Sequence, residues 1–126
     1  MVEEISTENA PSALGPYSQG IKDGDRIFVS GQGGVDPDSR EVVSGDIREQ
    51  TAQTLENIGA VLEAGGSSLD SVVKCTVFVT DMSNYEAVNE VYAEYFSKPF
   101  PARSAVEVAD LPIDIGVEIE AFAAVE

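Results

Sequence analysis

Two stretches of this chain carry apolar side chains along one side of a helix and leave the other side polar. Positions 47, 51, 54, 55, 58, 61 and 62 are apolar or small at helical spacing, and Ile47, Leu55, Ile58, Val61 and Leu62 make one stripe. Tyr85, Val88, Val91, Tyr92, Tyr95 and Phe96 repeat the pattern until Lys98-Pro99. Asp46 with Glu49, and Ser83 with Glu86, have the spacing of a capping box at each start, and Gly65-Gly66 ends the first helix. A one-sided stripe is stable only when buried on another surface, so both helices need something flat to lie on.

The rest of the chain supplies a sheet. Ser18 to Asp23 and Arg26 to Gln32 flank Asp23-Gly24-Asp25, a hairpin signal. Val35-Asp36-Pro37-Asp38 reads as a turn and Glu41-Val42-Val43 as a short third strand. Val72 to Thr80 is rich in Val, Thr and Phe and reads as a central strand, with Val73, Cys75, Val77 and Val79 on one face and Lys74, Thr76 and Phe78 on the other. Ala102 to Val108 and Gly116 to Val125 are the last strands, separated by Asp110-Leu111-Pro112-Ile113-Asp114. The order β-β-β-α-β-α-β-β predicts an α+β fold, a mixed sheet with two helices on one face. Residues 1–126 form one domain by length, with no internal repeat or low-complexity linker.

On that arrangement Glu118, Glu120 and Phe122 share the uncovered face of the last strand, and Phe28 and Phe78 fall on the same side. Aromatic surface of this kind predicts a homo-oligomer that buries its sheet faces, with closed symmetry.

Composition removes several classes of function. Seven basic residues against twenty-three acidic ones give a net charge of −16, which argues against phosphate-backbone recognition and hence against a nucleic-acid partner. There is no histidine, so Ser-His-Asp and Cys-His arrangements and His-containing metal sites are excluded. One cysteine, Cys75, allows no intrachain disulfide or CxxC pair, and it lies in an apolar run that reads as core. No EF-hand-like spacing of acids is present, so no metal site is expected. Ser30-Gly31-Gln32-Gly33-Gly34 lacks the spacing of a phosphate loop and reads as a turn after a strand. Without a signal segment or a long apolar run, the expectation is a cytoplasmic protein with no membrane partner.

Phe100-Pro101-Ala102-Arg103-Ser104 places a guanidinium at the head of a strand in this cation-poor chain. An arginine fork matches a carboxylate bidentately and suits a small organic acid. A surface arginine paired with a neighbouring acid is the other reading of Arg103. Tyr17 likewise reads as a packed aromatic, Ser30 and Gly31 as a strand end, and Asn89 as a helix hydrogen-bonder.

Taken together, several segments resemble the RidA subgroup of the Rid family, also labelled YjgF and endoribonuclease L-PSP. They are Glu8-Asn9-Ala10-Pro11, Gly15-Pro16-Tyr17-Ser18-Gln19-Gly20, Val29-Ser30-Gly31-Gln32, Val77-Phe78-Val79-Thr80-Asp81-Met82, Val88-Asn89, Phe100-Pro101-Ala102-Arg103-Ser104 and Val117-Glu118-Ile119-Glu120-Ala121. The resemblance spans nearly the whole chain. It implies a chorismate-mutase-like subunit in a homotrimer with clefts between adjacent subunits, hydrolysing enamines and imines such as 2-aminoacrylate and 2-iminopropanoate to 2-keto acids and ammonia with no cofactor. By the same resemblance Arg103 binds the substrate carboxylate, Glu118 holds the attacking water and Tyr17 closes the cleft. Ser30 and Gly31 offer polar and backbone contacts, and Asn89 supports them. Ala105 stands where the family commonly has cysteine; the contact there is made by main-chain groups, so hydrolysis is expected to survive. The link Ser97-Lys98-Pro99 is short and reshapes the cleft rim. Two other functions fit parts of the pattern. One is a non-enzymatic carboxylate-binding or chaperone-like trimer. The other is a ribonuclease or translation inhibitor, against which the charge and the missing histidine weigh.

The acids are dispersed, with no block of five or six, so they form a solvated acidic surface suited to concentrated salt. A halophilic origin follows as an expectation. Molar salt shortens the screening length to about 3 Å and relieves the self-repulsion. The melting temperature is therefore predicted to rise from dilute buffer to molar KCl; a flat or falling response would remove the halophilic reading.

Overall fold

The computed structural model describes residues 2–126. Six strands, β1 (Val2–Ile5), β2 (Gly20–Asp23), β3 (Arg26–Gly33), β4 (Val72–Val79), β5 (Ala102–Glu107) and β6 (Val117–Ala124), form one sheet in the order β1-β2-β3-β6-β4-β5. Two helices, α1 (Ile47–Ala64) and α2 (Tyr85–Tyr95), pack together on one face. The β4–β5 pair is parallel and every other pair is antiparallel. Parallel neighbours need a long crossover, and α2 supplies it.

The helical stripes meet the sheet as their spacing requires. Leu55, Ile58, Val61 and Leu62 of α1, with Val88, Tyr92 and Phe96 from α2 and its C-terminal end, are buried in one core with Ile27, Val29, Cys75, Val77, Val79, Val117, Ile119, Ala121 and Ala123 of the sheet. The Asp46 side chain accepts from the backbone N–H groups of Arg48 and Glu49, so the α1 start is capped. Glu49 does not close the box directly; its carboxylate accepts from the Ser44 hydroxyl, which in turn accepts from the Asp46 N–H. At the other end Gly66 takes φ 87°, Ser67 N–H donates to the Leu62 carbonyl and Gly66 N–H to the Glu63 carbonyl. This is a Schellman stop, which needs a residue at ease with positive φ.

Several details differ from the sequence reading. The residues 41–43 form no strand; a single bridge pairs Val35 with Val42, closing a tight loop in which Arg40 adopts φ 66°. The third strand before α1 is instead Val2–Ile5, on the sheet edge beside β2. Its pairing is through backbone, and only Ile5 is buried, so Val-Glu-Glu-Ile lacks the alternation that marks a strand in sequence. At the start of α2, Ser83 is not the cap. The Asp81 carboxylate accepts from Ser83 N–H and caps a 3₁₀ turn, Met82–Asn84, that runs into the helix.

Both long strand pairs contain a bulge, and each changes which residues face the core. On β4 the register shifts between Val72 and Lys74, so Val72 is buried and Val73 is 45% exposed, although the sequence placed Val73 with Cys75. On β3 the shift falls at Ser30 and Gly31, between the Val29–Ala121 and Gln32–Ile119 pairs. The extra residue reverses the alternation, and Gln32 is carried to the buried side with Ile119.

The opposite face has no helix on it. Phe28 and Phe122 are cross-strand partners whose rings meet edge to face at 5.1 Å, 40% and 41% exposed. Phe78 opposes Glu118 on that same side, so the three phenylalanines share the open face as the strand pattern predicts.

The loop between β1 and β2 is held by one buried side chain. The Gln19 Oε1 accepts from Thr7 N–H, and Nε2 donates to the carbonyls of Thr7, Ala10 and Pro11. Gln19 is 5% exposed, so each of these groups needs its partner. Gln19→Ala is predicted to cost about 1–3 kcal/mol of stability and to accelerate amide exchange at Thr7 in native-state hydrogen exchange. Unchanged protection there would show that the loop is held by other contacts.

Candidate active site

The β3 bulge and the start of β6 form one polar cluster. Ser30 donates from its hydroxyl to the Ser18 carbonyl at 2.6 Å, and its N–H donates to the Gln19 carbonyl at 3.0 Å. These two bonds tie the loop carrying Tyr17 to the bulge. Tyr17 itself is 49% exposed, with its hydroxyl accepting from Leu14 N–H. At Gly31 an added Cβ would lie 2.7 Å from the Glu118 carboxylate carbon, so only glycine lets that side chain lie against the strand. Glu118 is half-buried there and, among the described residues, makes no ion pair. Burial, with the neighbouring Glu120 adding repulsion, pushes its carboxyl above the ordinary value.

A second cluster forms where β5 meets α2. Arg103 pairs in register with Cys75 of β4, which is buried on the helix side, so its guanidinium lies on that side of the edge strand. There its carbon stands 4.8 Å from the Tyr92 ring centre and 5.5 Å from the Tyr85 ring centre, and Nη2 donates to the Tyr85 hydroxyl at 2.9 Å. Two aromatic faces hold the cation by its charge. Among the described residues no carboxylate pairs with it; the ion pairs are Arg26 with Asp25 and Arg48 with Glu90. Asn89 lies one turn after Tyr85 on the same helix face, and its Oδ1 is buried without a hydrogen-bond partner. Ala105, two residues on from Arg103, is partly buried against the core opposite Val77.

Tyr92 is buried and its hydroxyl has no hydrogen-bond partner. Its pKa is raised, first by burial and then by the neighbouring Cys75 thiol, which does not meet hydrogen-bond geometry. Burial likewise raises the Cys75 thiol, which Tyr92 and Arg103 only partly offset, so it stays a protonated core group.

The register separates the two clusters. Glu118 opposes Phe78 on the open face, whereas Arg103 opposes Cys75 on the helix face. One chain therefore gathers Ser30, Gly31 and Glu118 in one place, with Tyr17 on the attached loop. It gathers Arg103, Asn89 and Ala105 in another, and does not bring Arg103 to Glu118. Tyr85 and Tyr92 were read from the sequence only as members of an apolar stripe. The available signal for Tyr85 was its place at the stripe's edge, four residues before Asn89; 39% of it is exposed. Among the described residues no group of three or more His, Cys, Asp or Glu is placed to hold a metal ion, and no helix is long and apolar enough to cross a membrane.

Fold and clusters define a small α+β protein that displays a shielded carboxyl on one face of its sheet and an unpaired guanidinium on the other. Residues 7–125 match the family described as Endoribonuclease L-PSP, and the chain belongs to that family, which includes the Rid proteins. It is 56% identical over 123 residues to a RutC family protein of Pyrococcus horikoshii, covering 98% of each chain. It is 47% identical over 119 residues to the human 2-iminobutanoate/2-iminopropanoate deaminase, covering 94% of this chain and 87% of the human one. The crystal structure of RidA from an Antarctic Psychrobacter superposes with a TM-score of 0.95 at 45% identity, covering 98% and 99% of the two chains.

A carboxyl that keeps its proton longer when folded adds stability below its unfolded pKa, about 4.3, and loses that contribution as pH rises through the folded value. Glu118 is such a group. As pH rises from about 4 through the raised folded value, the wild type is predicted to lose stability relative to Glu118→Gln, which cannot ionise. Parallel pH profiles of the two melting temperatures would show that the carboxyl is not strained by burial.

Proposed function

We propose that this protein is an enamine and imine deaminase. It hydrolyses 2-aminoacrylate and 2-iminopropanoate-type intermediates to 2-keto acids and ammonia, without a cofactor, in clefts between the subunits of a homotrimer. The observation that carries the proposal is the Arg103 guanidinium, held between two tyrosines and free of any carboxylate in a chain with twenty-three of them. The name of the human relative supports the same substrate class.

The two clusters then act as half-sites from neighbouring chains. Arg103 receives the substrate carboxylate through its planar fork. Main-chain groups at Ala105 and support from Asn89 complete that half. From the adjacent chain Glu118 holds a water against C2 of the imine, with Ser30 and Gly31 beside it and Tyr17 closing the rim. The imine carbon is already electrophilic, so positioning and one proton carrier are enough. An enamine first takes a proton at C3 to become the iminium that reacts. Water oxygen bonds to C2 as the C=N π pair moves onto nitrogen, and Glu118 takes one water proton. Glu118 returns that proton to the carbinolamine nitrogen; a lone pair of the hydroxyl oxygen then forms the C=O bond as the C–N pair leaves with ammonia, and the remaining hydroxyl proton passes to Glu118 and on to solvent. The raised carboxyl pKa suits Glu118 to passing a proton in both directions. The exposed phenylalanines of the open face provide the apolar surface that trimer formation covers.

Pyruvate release from enzymatically generated 2-iminopropanoate should be accelerated by the wild type and fall about 100-fold or more in Arg103→Ala, as expected for losing a bidentate charged contact. Glu118→Gln should be similarly impaired. Refolded together in equal amounts, the two inactive variants should regain about a quarter of wild-type activity, because a cleft between unlike chains of the right order holds both intact halves. Absence of acceleration by the wild type would reject the deaminase, and absence of complementation would reject the shared cleft. A 2-ketobutyrate-binding protein that turns nothing over would instead be a non-enzymatic carboxylate binder.

A further inference from the structure

The Arg103 half-site contains a second group that the carboxylate reading leaves unused. The Tyr85 hydroxyl accepts from Arg103 Nη2 at 2.9 Å, and that is its one hydrogen bond among the described residues. A phenol has a proton to give as well as lone pairs to accept with. Tyr85 is 39% exposed on the first turn of α2, so this proton points to no protein acceptor and the side chain is open to solvent.

A carboxylate seated on Arg103 uses two of its four lone-pair sites for the bidentate fork and keeps the others. The phenol oxygen is already bonded to the guanidinium and so stands at the edge of the fork, next to any oxygen the fork holds. Accepting from a cation strengthens the bond that the same hydroxyl donates onward. From these contacts we infer that Tyr85 is a substrate-binding residue, its hydroxyl donating to the carboxylate that Arg103 anchors. The inference rests on the proposed deaminase site, but it concerns only the anion-binding half. It also gives Tyr85 a role apart from packing: unlike Val88 and Val91 of the same stripe, it is not buried in the core.

A contact to the carboxylate is present in substrate and transition state alike, so its loss raises KM and leaves kcat little changed. In Tyr85→Phe the ring, and with it the stacking on Arg103, is kept. Calorimetry with 2-ketobutyrate should show Kd about tenfold higher in Tyr85→Phe than in wild type, the size of one charge-assisted hydrogen bond. KM for the imino acid should rise by a similar factor with kcat within about twofold. 2-Pentanone, which keeps the ketone but has no acceptor in place of the carboxylate, should bind both proteins equally, which a merely structural role for Tyr85 would not produce. Equal Kd for 2-ketobutyrate in the two proteins, or an equal weakening of 2-ketobutyrate and 2-pentanone, would overturn the role of Tyr85. If the wild type turns over imine while Tyr85→Phe matches it, the deaminase stands and this inference falls. If 2-ketobutyrate binds and weakens in Tyr85→Phe but no imine is hydrolysed, the inference stands and the deaminase falls. A wild type that neither binds nor turns over removes both.

Discussion

Side chains on a strand alternate between the two faces of a sheet, and in this protein both helices occupy one of those faces. Much else follows from that constraint. Every β6 residue of odd number, from Val117 to Ala123, is committed to the core, so Glu118 and Glu120 are forced outward with Phe122. On β5 the same parity turns Arg103 toward α2 and its neighbours Ala102 and Ser104 away. An acid and a base separated by fifteen residues on neighbouring segments of the sequence therefore end on opposite sides of one sheet. No change of rotamer brings them together within a chain; a site that needs both needs two chains.

Two bulges adjust this parity where the chain requires it. At Val73 the extra residue lets Val72 enter the core while Lys74 still faces out. At Ser30 and Gly31 it creates a local gap beside β6, and the missing side chain of Gly31 makes room for Glu118. Buried amides then fix the segments around these points. Asn57 of α1 donates to the carbonyls of Gly33, the last residue of β3, and Val35 just beyond it, and Gln50 bridges the Ser44 carbonyl and Gly116 N–H at the entry to β6. Helix α1 thus serves both as the main apolar layer and as the frame on which the strand ends are registered.

Much of this was legible in the sequence because it rests on local rules. Asp46 caps α1, Gly65 and Gly66 stop it, and Gly24 at φ 63° turns a two-residue hairpin in which Asp23 pairs with Arg26. What escaped depended on partners far along the chain. Val2–Ile5 is a strand because β2 offers it an edge, not because its own residues alternate. The bulges exist only relative to β6, and so the misplaced face of Val73 had no local signal. Ser83 looked like a cap by spacing, yet Asp81 reaches its N–H first. Of the candidate site, Arg103 and Glu118 stood out in the sequence only through the family pattern. Their separation by sheet parity, and the tyrosines around Arg103, emerged from tertiary packing.

The isolation of Arg103 has a kinetic side. An organic anion nearing it must first cross the field of a chain with net charge −16, and at physiological ionic strength that field reaches about 8 Å before it is screened. The guanidinium governs only the last part of any such approach, within about one screening length of its own charge. Electrostatic steering of the kind that speeds association in oppositely charged pairs works here in reverse. For any anion this net field slows entry and hastens exit relative to the fork alone.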